Sequence, residues 1–143
     1  MSKTEESLRV SVLVRPDLPL GAVVNTAAVV SVGLAAHVPA LAGTVLRDSA
    51  DRMVLGCSEY PVPILQADSA TLQAVVAKAC QAAMPEGAAV VPFPAFARRI
   101  HTFADYQREL SGRDLTSEEL DGVGLVGPEK WVRSLTGALK LLR

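Results

Sequence analysis

Short apolar runs bounded by proline, glycine or charge alternate along this chain with longer apolar and amphipathic stretches. "RVSVLV" (9–14) is rich in β-branched residues and reads as a strand, which the two prolines of "RPDLPLG" then stop. Residues 21–36 are apolar almost throughout and too long for a strand, so they predict a helix. A helix apolar on all sides must be covered on most of them, here by the sheet and by a second subunit. "GTVLRDSADRMVLG" (43–56) sets two short apolar runs around "DSAD", the pattern of a small hairpin. "VPILQ" (62–66) is a compact strand, followed by Asp68 and Ser69 as alternative helix caps. Leu72, Val75, Val76, Ala79, Cys80 and Ala83 then recur at helical spacing, which predicts an amphipathic helix ending near "MPEG". On that face Cys80 reads as a small buried hydrophobe.

"AAVVPF" (88–93) is the third strand of the series. The polar stretch 94–121 reads as an excursion over the surface. In it Thr102 caps a helix carrying Phe103, Tyr106 and Leu110 on one side, and Thr116 with Glu119 forms a capping-box pattern for a second short helix. "GVGLVG" (122–127) is the last strand, its glycines permitting close backbone approach. Pro128 opens a final helix with Trp131, Val132, Leu135, Ala138, Leu139 and Leu142 on one face.

Alternating strands and helices in 143 residues predict one layered α/β domain spanning 1–143. Half the residues are hydrophobic while 4% are aromatic, so the core is built from Val, Ala and Leu, which suits close helix-on-sheet packing. A net charge of −1 supplies no global field for nucleic acid or an anionic membrane. Cys57 and Cys80 are too few for a disulfide framework and lack metal-ligand spacing, and no cofactor motif stands out, so no metal or cofactor is expected. The polar start "MSKTEESLRV" lacks a signal-peptide core, and Asn25, Thr26, Ser31 and His37 interrupt the long apolar run. These features predict a soluble cytoplasmic protein, with no membrane span.

In layered α/β folds ligands bind beyond the carboxyl ends of strands, near the helix that follows. The turn after the first strand occupies such a place. Arg15 and Asp17 flank Pro16 there, as a loop-fixing ion pair or as an anchor for a ligand carboxylate. Asn25 either bonds to the preceding turn or presents its amide to a ligand carbonyl. Arg98, Arg99 and His101 form a basic cluster, either a solvated loop or a phosphate contact with a general base. The ligand-binding candidates are therefore Arg15, Asp17, Asn25, Arg98 and His101, and no catalytic residue is assigned. His37 reads as a partner of the helix-terminal carbonyls, and Trp131 as a core or interface anchor.

"VLVRPDLPLGAVVNTAAVV", "PILQAD" and "GPEKWVRSLTGALKLLR" together resemble the bacterial domain-of-unknown-function family numbered two thousand. More distantly the chain is similar to the class II, metal-independent peptidyl-tRNA hydrolases. Val14, Arg15, Asp17, Leu18 and Gly21 match the opening of those enzymes, and Gly127, Pro128, Leu139, Lys140 and Leu141 match their close. The resemblance implies a three-layer α/β/α sandwich with a mixed sheet of about four strands, often dimeric. The hydrolases carry a lysine after the turn glycine, where this chain has Ala22, Val23, Val24, Asn25 and Thr26; their Asp-Ala-Gly segment is replaced by "PFPAFARR". The expectation is a homodimeric domain that binds a small polar or acyl ligand without the hydrolase lysine. An ester or amide hydrolase with a rearranged site, and a purely structural interaction subunit, are the alternatives.

Overall fold

The β-branched run after Ser7 forms the first strand, β1 (Leu8–Val14), and its alternation sends successive side chains to opposite faces. Val12 and Val14 point one way, onto Val23 and Val30 of helix α1 (Leu20–His37). Leu13 points the other way, among Leu72, Val75 and Val76 of helix α2 (Ser69–Cys80). The computed structural model describes residues 7–81 and 83–143. Its remaining elements are β2 (Val45–Arg47), β3 (Met53–Leu55), β4 (Ile64–Gln66), β5 (Ala89–Pro94), α3 (Phe103–Ser111), β6 (Leu120–Pro128) and α4 (Glu129–Thr136).

Four strands form one mixed sheet in the order β4-β1-β6-β5. β1 runs parallel to β4 and antiparallel to β6, and β5 is antiparallel to β6. α1 covers one face; α2 and α4 cover the other, where Trp131 and Leu135 pack against Leu13, Val123 and Leu125. The expected α/β/α layering is present. Close packing on the α1 side depends on glycine. A Cβ on Gly122 would stand 2.5 Å from Cγ2 of Thr26, and one on Gly124 would stand 3.0 Å from Cδ1 of Leu34. Val126 packs with Leu34 on this side, and Val123 and Leu125 pack toward α2 on the other, so β6 is buried from Leu120 through Gly127.

Four elements depart from the expected pattern. α1 is covered on one stripe, Val23, Thr26, Val30 and Leu34, while Leu20, Val24, Val29 and Val32 are exposed. The final helix stops at Thr136, short of Ala138, Leu139 and Leu142. The chain beyond Gly137 instead lies along β4, where Gln66 N–H donates to the Lys140 carbonyl and Leu142 N–H to that of Ile64. That tail pairs an edge strand that would otherwise be open. No helix forms at Thr116, because Asp114 accepts from both the amide and the hydroxyl of Thr116 and closes a turn, while Glu119 turns to Arg15. Cys80 is exposed at the last position of α2, which ends there rather than at the later glycine turn; Cys57 is exposed as well.

The hairpin β2–β3 forms around residues 48–52, where Asp48 accepts from the amides of Ala50 and Arg52. It is a separate two-stranded sheet, outside the main one. α1 is long and apolar enough to cross a membrane by length and composition, and here it lies along the sheet.

Candidate functional site

The turn that follows β1 and the junction between β4 and α2 lie side by side, because β1 and β4 are parallel and end together. The Ala67 amide donates to the Val14 carbonyl and ties the two ends. Between them opens a cleft of about 440 Å³ lined by Arg15, Pro16, Asp17, Gln66, Asp68 and Ser69. Pro16 and Pro19 stop β1 from continuing, so Arg15 and Asp17 are delivered at its rim. Asp68 caps α2 by accepting from the Thr71 amide at 2.8 Å, and the Thr71 side chain, followed by that amide, holds its carboxyl below the usual carboxylate range. Ser69 Oγ accepts from the Leu120 amide, joining the helix start to β6.

Arg15 is held from three sides. Its Nε and Nη2 form a two-point contact with the Asp17 carboxylate at 3.1 and 2.9 Å, and Nη1 donates to Glu119. Nη1 also stands 3.7 Å from Oδ1 of Asp121. The hydrogen bonds to Asp17, more than any other contact, raise the Arg15 guanidinium above its ordinary value, and Arg15 in turn lowers the Asp17 carboxyl. A guanidinium has five N–H donors, of which three are engaged here; the other two are without a hydrogen-bond partner, one of them on the Nη1 near Asp121.

Asp121 is the acid that the sequence pattern did not single out. It is the second residue of β6, directly before Gly122, has no solvent exposure, and lies 2.6 Å from Nε of Arg98 through Oδ2. That approach is an ion contact without hydrogen-bond alignment; the Arg98 Nη2 to Oδ1 bond, at 3.4 Å, is long. Burial raises the Asp121 carboxyl above its ordinary value, and the nearby Arg98 and Arg15 offset this in part. A lone Asp between "EEL" and a glycine-rich apolar strand was the available signal.

Of the five ligand-binding candidates, the fold brings Arg15, Asp17 and Arg98 together, the last through Asp121. It places Asn25 on the exposed face of α1, outside the residues that line the cleft. His101 is exposed between a short 3-10 turn (Ala95–Arg99) and the Thr102 cap of α3. Arg99 is likewise exposed. Among the described residues no group of three or more His, Cys, Asp or Glu is arranged to hold a metal ion.

A solved structure of a protein of unknown function, Atu0240 from Agrobacterium tumefaciens str. C58, is similar to this chain with a TM-score of 0.83 and 19% sequence identity. The match covers 94% of this chain and 96% of that one, and at this identity it shows a shared fold. No curated protein matches the sequence. The model of the family described as "Protein of unknown function (DUF2000)" matches residues 8–143, and the chain belongs to that family.

Proposed function

We propose that the protein binds a small polar or acyl ligand in the cleft between the β1 turn and the start of α2. The observation that carries this reading is the placement of a preset arginine at the carboxyl ends of two parallel strands, where layered α/β folds take their ligands. Arg15 cannot swing freely, because Asp17 and Glu119 hold it, so its two remaining N–H groups are oriented before a ligand arrives. They suit a carbonyl or carboxylate oxygen. Asp17 and Asp68 at the rim suit an N–H or ammonium on the same molecule. An acyl compound carrying an amide or amine satisfies both.

The resemblance to class II peptidyl-tRNA hydrolases supports a second reading, ester or amide hydrolysis, since Arg15 and Asp17 of the matched opening stand together at this cleft. Binding is favoured over turnover because the hydrolase lysine has no counterpart in the sequence and Asp121 is sealed from solvent. One panel tests both readings. N-acylated amino acids and their amides and esters, with an N-blocked aminoacyl-tRNA, are examined for thermal stabilisation and for hydrolysis. The expected result is stabilisation by at least one small member, lost in Asp17→Ala and kept in Asn25→Ala, with no release above the uncatalysed rate. Stabilisation that survives Asp17→Ala, or none across the panel, overturns the binding reading; release above background replaces it with the hydrolytic one.

A further inference from the structure

On the sheet face away from α2, α1 turns Leu20, Val24, Val29 and Val32 to solvent, with Leu20 79% and Val32 70% exposed. Beside its second half stands the β2–β3 hairpin, whose Val45, Leu46, Met53, Val54 and Leu55 are all more than half exposed. Register pairs Val45 with Leu55 and Leu46 with Val54, so both faces of this arm are apolar. An apolar groove bordered by Val32 and Ala35 on one bank and Leu55 on the other joins the two elements. The arm leaves the domain where the chain crosses itself: a Cβ on Gly43 would stand 2.1 Å from the Cys57 carbonyl oxygen.

We infer that this surface is the interface of a homodimer in which α1 packs on α1 of a second copy and each hairpin arm clasps its partner. Counted over the helix and both faces of the arm, the exposed side chains amount to on the order of 800 Å², the scale of one side of a standard interface, so the arm must be enclosed on both faces to bury them. An isolated two-stranded hairpin is marginal in water, so this one needs a covering surface. Charge selects the second copy as that surface. α1 has no Asp, Glu, Lys or Arg, so a two-fold axis through it sets no like charges against each other. A lipid surface would call for Lys or Arg along the helix rim, and α1 has neither, its one basic side chain being His37 in the last turn. Arg47 and Arg52 at the arm's tip are paired with Asp51 and Asp48. Val24, Ala28 and Val32 form one i, i+4 ridge and Gly21, Asn25 and Val29 the next, the spacing by which two helices interdigitate. Asn25 then sits within the helix pair. Its amide both donates and accepts, and so can pair with its own counterpart and fix the register.

Sedimentation of the full chain tests this. The expected wild-type mass is twice 15.0 kDa at about 10 μM, and Val32→Glu and Leu55→Glu each raise the dissociation constant at least ~30-fold while keeping the wild-type circular dichroism. A wild-type monomer at about 100 μM overturns the proposal. So does a dimer that both variants leave intact, or a monomer that floats with phosphatidylcholine vesicles. If either variant fails to fold, amide exchange on the wild type decides. Amides of 45–55 must gain protection between about 1 and 100 μM, and exchange independent of concentration overturns the proposal.

Discussion

Asp121 bears a conflict between burial and charge. The folded chain holds its carboxyl proton more tightly than the unfolded chain does, because desolvation outweighs the attraction of Arg98 and Arg15. Between the ordinary value of 3.8 and the raised folded value, the folded state binds more protons than the unfolded one. Stability from this residue is therefore full below 3.8 and declines as pH climbs through that window. Asp17, Asp48, Asp68 and Asp114 behave oppositely. Their folded values are depressed, so their contribution is present above 3.8 and lost as pH falls. Asp121→Asn leaves those four in place. Denaturant titrations from pH 3 to 8 are therefore expected to show the wild type losing stability relative to Asp121→Asn as pH rises, and parallel curves would sink this account. The Arg15–Asp17 pairing was legible in the sequence because the two lie two residues apart across a proline. The burial of Asp121 was not, because it depends on Arg98 and Arg15, which are brought in by other elements.

The elements themselves were legible wherever a local pattern alone decides them. All four sheet strands and both long helices occupy the predicted stretches, and the hairpin forms around its Asp-rich turn. What failed were ends and neighbours. Gly137 lets the chain leave α4 early, since pairing with β4 satisfies more backbone groups than another helical turn would. The position of Asn25 was misjudged by one step of helical phase. Thr26 takes the inward position beneath Gly122, and the next residue back, about 100° round the helix, faces outward. Where a side chain makes the local bond itself, the prediction is sharper. Asp68 was one of two cap candidates, and it accepts from the Thr71 amide while Ser69 turns to β6. Asp68→Ala is expected to lower stability by about 1 kcal/mol, with Asp68→Asn recovering most of it. Equal losses in the two variants, read from denaturant midpoints, would mean that the cap bond contributes little.

Across the whole molecule, protection from unfolding must follow the order of the sheet. β6 is bonded on both sides, to β1 and to β5, and is buried from Leu120 through Gly127. β1 and β6 pair over most of the chain's length, Leu8 opposite Pro128, so neither is secured until distant segments have met. Strand order of this kind cannot be read from local periodicity, because it is chosen by which strand can accept α1 against its backbone, and Gly122 and Gly124 make that strand β6. The β2–β3 arm lies at the opposite extreme, with three exposed residues in each strand and no bond to the main sheet. In the Val32→Glu chain, at a concentration where it sediments as a monomer, its amides are expected to exchange by local opening, at least ~1,000-fold faster than those of β6, which need global unfolding. Were the arm as protected as β6 in that monomer, it would be held by its own domain. The apolar faces of Leu46 and Val54 would then require no partner, and α1 would have to account for any dimer alone.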